Sequence, residues 1–156
     1  MNAVEAGEWS ADWAWSLPLI VLSVVIHVVG LGLMNESVVR ILVGGMQNRN
    51  FILKFAAVMG ITVLLVTALH GIEAAVWAIS YWLIGALPDP KLAMLYSLSA
   101  MTSYGHASLF LKPQWQLMGA LEALNGMLLI GLTTAFLFAM IQKVWPLRSS
   151  GRRQRV

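Results

Sequence analysis

Four ionisable side chains lie inside long apolar stretches of the sequence: His27, His70, Glu73 and Glu122. Ionisable groups within a membrane are costly, so they usually face protein or water. His70 and Glu73 are three residues apart, which places them on one face of a helix. The pattern favours either a charged or protonated cluster that braces a functional segment or two hydrogen-bonded pairs that hold helices together.

Two further interpretations of these residues rank lower. One is a proton relay, and the other is a metal site built from the two histidines and the two glutamates. His27 taken alone is typical of a hydrogen-bonded histidine between helices rather than of a sensor. At the end of the same apolar stretch, Glu36 and Arg40 have the i,i+4 spacing of a helical ion pair.

A second feature is the segment T-S-Y-G-H-A-S at residues 102–108, which follows the apolar stretch 91–101. Eleven residues are too few to cross a bilayer, which needs about 20. Non-helical backbone at membrane depth is tolerated only where it is buried in protein or lines water. A short helix followed by a returning stretch with hydroxyl groups and glycine is the plan of an ion selectivity filter. A re-entrant plug or packed loop is the alternative.

The composition predicts that these residues sit in a membrane protein. Of 156 residues, 59% are hydrophobic and 11% are charged, whereas a soluble domain carries about a quarter charged residues. The mean hydropathy is +0.76. There is no cysteine, which excludes disulfides and thiolate metal sites. We therefore predict a single all-α membrane domain.

Three apolar stretches are long enough to span. Ser16 is the predicted N-cap of the first helix, Pro18 falls in its first turn, and Pro88 and Pro90 end the second helix. The predicted segments are an outer amino-terminal segment 1–15, spanning helices 16–44, 51–87 and 115–145, a pore helix 91–103, a filter 102–108 and a basic tail 146–156.

Charge predicts the orientation. Glu5, Glu8 and Asp12 make the amino end acidic, whereas Arg40, Arg49 and Lys54 surround the first connection and the tail is basic. By the positive-inside rule, the amino end lies outside and the carboxyl end is cytoplasmic, in the inner (plasma) membrane. The same rule explains the basic tail better than nucleic-acid binding does. We expect neither a nucleic-acid partner nor a small-molecule substrate.

Residues 70–142 resemble small bacterial members of the two-transmembrane, potassium-channel-like superfamily. The family has H-x-x-E in its outer helix, and this chain has H-G-I-E at residues 70–73. The family's last helix begins W-x-x-L and continues E-A-L-N-G. Here Trp115 is followed by Gln116, Leu117 and Met118, and residues 122–126 read E-A-L-N-G. That last stretch is the most specific part of the resemblance.

The chain departs from the family's T-T-x-G-Y-G-D filter. In an ungapped register, Thr102 and Ser103 match the two threonines and Gly105 matches the first glycine. His106 then replaces the tyrosine, Ala107 the second glycine and Ser108 the aspartate. A register with one deletion pairs residues 104–105 with the family's Tyr-Gly. We prefer the ungapped register, because a deletion would rotate the pore helix relative to its packing.

The resemblance implies a homotetrameric channel for passive transport of monovalent cations, with potassium as the first expectation and weak selectivity as the next. Rings of backbone carbonyls require several subunits. The expected filter residues are Thr102, Ser103, Tyr104, Gly105 and His106, supported by His70, Glu73, Glu122 and Asn125. Gly126 and Gly131 are candidate bending points or, by slight preference, close-packing positions.

Two other functions remain open. A non-conducting scaffold or sensor would keep the channel fold with an altered filter, and a proton-coupled carrier would use His70, Glu73 and Glu122. The carrier is disfavoured because the sequence has no inverted repeat. No nucleophile–base motif is present, so we expect no enzyme activity. The expected ligands are the permeant cations, with no cofactor.

Overall fold

The computed structural model describes residues 3–43, 51–105 and 109–153, and this part of the chain is helical and free of strands. A short 3₁₀ turn at Pro113–Trp115 leads into the last helix. The helices are α1 (Ala3–Val43), α2 (Phe51–Leu83), α3 (Pro90–Met101) and α4 (Gln116–Arg153).

Three of these helices are long and apolar enough to cross a membrane. The apolar stretches are Trp9–Arg40, Ile52–Leu83 and Pro113–Lys143, and only 17% to 22% of each is buried within the chain. Large apolar side chains such as Leu64 are exposed instead, in that case by 70%. Soluble monomers rarely expose such continuous apolar surface. The prediction of an all-α protein with three helices long and apolar enough to span a membrane is therefore confirmed.

The spanning helices extend beyond the predicted bounds at their polar ends. Helix α1 begins at Ala3 rather than at Ser16, so that Pro18 lies inside the helix and not in its first turn. Helix α4 continues to Arg153, through most of the predicted tail. Hydropathy marks where lipid contact stops, whereas a helix in water continues until its backbone meets a stop signal.

Helix α2 ends at Leu83, four residues before the predicted end, because of a glycine. Gly85 has φ +68°, the left-handed conformation typical of helix C-caps. Its N–H donates to the carbonyl of Trp82 at 3.1 Å, and the N–H of Ala86 donates to that of Tyr81 at 2.9 Å. This pair of bonds is a Schellman motif, which closes the helix before the prolines are reached.

Helix α3 is held at its start by Asp89. The Asp89 carboxylate accepts from the backbone N–H of Lys91 at 2.6 Å and of Leu92 at 3.3 Å. Pro90 occupies the first helical turn, where its missing N–H costs nothing. With 12 residues, α3 is about 18 Å long, which is shorter than a bilayer core.

The chain forms two compact units. Unit 1 comprises Met1–His27 and His70–Ile130, and unit 2 comprises Val28–Leu69 and Gly131–Val156. The main core of unit 1 is built around Trp77, Tyr81 and Met118, which are fully buried. All residues of the site described below belong to unit 1.

Unit 2 has a smaller core around Val38, Val58 and Met140. Gly30 lets the two helical segments approach, since a Cβ atom there would lie 2.7 Å from Cδ2 of Leu69. The expected Glu36–Arg40 pair is present on the exposed surface at 3.4 Å. Exposed pairs of this kind contribute little to stability.

Candidate functional site

Helix α4 passes very close to α3 at two glycines that are two helical turns apart. A Cβ atom on Gly119 would meet the hydroxyl oxygen of Tyr96, and one on Gly126 would lie 2.6 Å from Cα of Met101. Burial raises the pKa of Tyr96 to about 12, with a further contribution from Glu122, so this hydroxyl keeps its proton. Small residues permit such close approach between helices.

Glu122 lies between these two glycines on the same face of α4 and joins three helices. It is fully buried. Its Oε2 accepts from the hydroxyl of Tyr81 on α2 at 2.7 Å, and its Oε1 is hydrogen-bonded to the hydroxyl of Ser97 on α3. Ser97 Oγ also lies 2.7 Å from the backbone oxygen of Ala74. These contacts fix α3 against both α2 and α4.

Asn125 lies one turn beyond Glu122 and is also fully buried. Among the described residues, neither the nitrogen nor the oxygen of its side-chain amide has a hydrogen-bond partner. Buried polar groups are normally paired with protein or ordered water. The amide is therefore available to bind water or a further polar group next to the end of α3.

The backbone after α3 takes an unusual path. Thr102 ends the helix, with its hydroxyl donating to the carbonyl of Leu98 at 2.8 Å. Ser103 has φ +55° and Gly105 has φ +74°. A non-glycine residue in the left-handed region costs about 1–3 kcal/mol and persists where the surroundings enforce it. The N–H of Tyr104 donates to the carbonyl of Ser99 at 2.9 Å, which ties this turn back onto α3.

A second buried cluster joins α1 to α2. Nδ1 of His27 lies 2.9 Å from Oε1 of Glu73, and Nδ1 of His70 lies 3.1 Å from Oε2 of the same carboxylate. His27 and Glu73 are fully buried, whereas the His70 side chain is 24% exposed. The two imidazole rings are 5.1 Å apart between centroids.

The same two helix faces are joined again one turn away. The indole N–H of Trp77 donates to the hydroxyl of Ser23 at 3.1 Å, and this hydroxyl donates to the carbonyl of Leu19 at 2.7 Å. Ser23 precedes His27 by four residues and Trp77 follows Glu73 by four. The two cross-helix contacts therefore form a ladder that fixes the register of α1 against α2.

The structure thus divides the predicted supporting residues into two groups. Glu122 contacts the short helix α3, and Asn125 lies near its end. His70 and Glu73 contact His27 on α1 instead. Glu122 is absent from the compact group formed by the two histidines and Glu73. The partner of Glu73 from α1 is His27, which was not among the residues expected to support the filter.

Sequence reasoning missed Tyr81, Ser97, Trp77 and Ser23 as partners of these groups. A usable signal was present: Glu73, Trp77 and Tyr81 follow one another at intervals of four. Residues at this spacing share a helix face, and aromatic side chains with a polar tip seek a hydrogen-bond partner when buried.

The predicted filter is described only in part. Thr102, Ser103, Tyr104 and Gly105 form the exposed turn after α3. His106, as well as the replacements at Ala107 and Ser108, lies outside the described residues. Of the two glycines expected to bend or pack α4, Gly126 packs against Met101. At Gly131, apart from its chain neighbours and the nearby backbone of α4, no atom of the described residues comes within 4 Å of the place where a Cβ would stand.

Comparison with known proteins gives no match: no family model, curated protein or solved structure is significantly similar to the chain. The class is therefore defined by the chain's own features. It is an all-helical protein with three helices long and apolar enough to span a membrane. A short fourth helix is held among the long ones by buried polar contacts.

Proposed function

We propose that the protein is a homotetrameric channel for monovalent cations, in which α3 is the pore helix and the turn that follows it begins the filter. Potassium is the first candidate ion. The observation that carries the proposal is the anchoring of a helix too short to span, through Ser97 and Met101, to the inner face of α4.

The backbone of the turn supports the same proposal. Ion filters present backbone carbonyl and hydroxyl oxygens in place of the hydration shell. The segment at residues 102–105 carries three hydroxyl side chains, those of Thr102, Ser103 and Tyr104, and left-handed backbone at Ser103 and Gly105. Strained backbone of this kind is found most often at functional sites, where the surrounding structure holds it in place.

The exposure of this region supports assembly from several copies. Tyr104 is 85% exposed and Phe110 is 68% exposed. A cleft beside them is lined by Tyr96, Ser99 and Ala123. One chain provides a single filter strand, which cannot surround an ion. Four copies around an axis would cover these aromatic side chains and complete a ring of oxygen atoms.

An ion-flux assay tests the proposal directly. Protein reconstituted in liposomes loaded with potassium salt is diluted into potassium-free buffer, and efflux is followed with a proton carrier and a pH-sensitive dye. We expect efflux well above that of empty liposomes, with sodium-loaded liposomes measuring the selectivity. If folded, reconstituted protein gives only the flux of empty liposomes, the channel proposal is wrong.

Gly105→Ala sharpens this assay. Alanine at φ +74° costs roughly 1–2 kcal/mol of backbone strain. Chain neighbours aside, no atom of the described residues lies within 4 Å of the new Cβ. Because each of four copies would carry the strain, we expect the flux to fall by about tenfold or more. Gly85→Ala is the matched control, since φ is +68° and its surroundings are equally open. It should cost similar stability and leave the flux per folded protein unchanged.

The orientation can be tested by labelling single introduced cysteines, because the sequence itself contains no cysteine. We propose that the amino end lies outside and the carboxyl end is cytoplasmic, since three crossings put the two ends on opposite sides. Glu5→Cys in intact cells should react with an impermeant thiol reagent, whereas Ser150→Cys should react only after the membrane is opened. Labelling of position 150 from outside would contradict this orientation.

A non-conducting scaffold or sensor is the second candidate. It is favoured by the departure of the 102–108 segment from the family's filter sequence. The two candidates share the fold and the tetramer, and they differ in the flux assay alone. A stable tetramer without flux would select the scaffold, whereas flux reduced by Gly105→Ala and retained in Gly85→Ala would select the channel.

A further inference from the structure

We propose that His27, His70 and Glu73 form a binding site for a divalent transition-metal ion, with Zn²⁺ as the best fit. The site lies in unit 1, between α1 and α2, and is separate from the Glu122 network that holds α3. It does not depend on ion conduction, because a metal here would cross-link the first two helices whether or not the protein is a channel.

The geometry is close to that of a bound ion. His27, His70 and Glu73 each offer one ligand atom, a ring nitrogen or a carboxylate oxygen, and these atoms all lie within 4.8 Å of one another. The individual nitrogen–oxygen distances are 2.9 Å and 3.1 Å. Tetrahedral zinc, with bonds of about 2.0 Å, separates its ligand atoms by about 3.3 Å. The three side chains are therefore close enough for one ion to reach a ligand atom of each after small side-chain rotations.

The ligand types select the class of metal. Two imidazoles and one carboxylate suit zinc and its neighbours in the first transition row. Calcium and magnesium prefer sites built from oxygen atoms. Three protein ligands leave one tetrahedral position open for water. The His70 side chain is 24% exposed, whereas Glu73 is fully buried.

Electrostatics favours the same conclusion. A buried carboxylate is costly unless it is paired. Here Oε1 of Glu73 is hydrogen-bonded to His27, whereas Oε2 has no hydrogen-bond partner among the described residues, although Nδ1 of His70 lies 3.1 Å away. A divalent ion would neutralise the carboxylate and use the nitrogen lone pairs at the same time. The Ser23–Trp77 contact one turn away fixes the helix register, so the three ligand side chains are held near one another in advance.

The experiment uses the full chain in detergent, purified with an affinity tag that lacks histidine. After addition of zinc chloride and removal of the unbound ion, elemental analysis should find about one zinc per chain. Zinc should also raise the thermal unfolding temperature, since a ligand that binds only the folded state stabilises it. His27→Asn, His70→Asn and Glu73→Gln should each weaken zinc binding by about a hundredfold or more.

The chain offers a matched control because it has three histidines and no cysteine. His106→Asn removes the remaining histidine and should leave zinc binding unchanged. X-ray absorption at the zinc edge of the wild-type protein should show two imidazole ligands, a readout that needs no variant to fold. Absence of stoichiometric zinc, a spectrum without two imidazoles, or loss of binding in His106→Asn alone would each overturn the proposal.

Discussion

Gly126→Ala is expected to destabilise the protein and to displace the end of α3. The new Cβ atom would lie 2.6 Å from Cα and 2.7 Å from the carbonyl carbon of Met101. These are backbone atoms, which cannot turn aside as the end of a side chain can. Overpacking a tight contact costs about 1–3 kcal/mol. We expect a loss at the upper end of this range, measured by unfolding in mixed detergent micelles.

Gly131→Ala is the matched control on the same helix. Apart from its chain neighbours and the nearby backbone of α4, no atom of the described residues lies within 4 Å of the position of its Cβ. Alanine favours a helix by up to about 1 kcal/mol relative to glycine. Stability should therefore stay unchanged or rise slightly. If the proposed channel is correct, Gly126→Ala also abolishes ion flux while Gly131→Ala retains it. Equal loss of stability in both variants would show that the Gly126–Met101 contact does not exist.

Glu122→Ala should have a comparably large effect, through polar rather than steric contacts. The substitution leaves the hydroxyl groups of Tyr81 and Ser97 without the carboxylate that joins them. A buried polar group left unpaired costs roughly 1–3 kcal/mol. With two such groups, we expect a loss of about 3 kcal/mol or more in unfolding free energy, together with a weaker tetramer in cross-linking if the proposed assembly is correct.

Glu122→Gln separates the hydrogen bonds from the charge. Its amide has nearly the same shape, and it can accept from one hydroxyl and donate to the other. We expect Glu122→Gln to lose at most half as much unfolding free energy as Glu122→Ala. If the glutamine variant is as unstable as the alanine variant, the hydrogen-bonded network is not what holds α3.

Much of the architecture follows from the sequence because lipid imposes a simple rule. A helix satisfies its own backbone hydrogen bonds, so long apolar stretches in a membrane protein form helices. This rule predicted three long helices and a fourth that is too short to span. It did not predict their ends, because those depend on local caps such as Gly85 and Asp89, and on polar segments that continue a helix into water.

The sequence by itself also determined which residues carry the polar chemistry, since His27, His70, Glu73 and Glu122 are conspicuous in apolar helices. Only the tertiary structure decided their partners. Glu73 lies with His27 and His70, and Glu122 lies with Tyr81 and Ser97. The physical reason is that helix periodicity defines the face on which a side chain lies, whereas the facing helix is chosen by packing between segments that are distant in the chain.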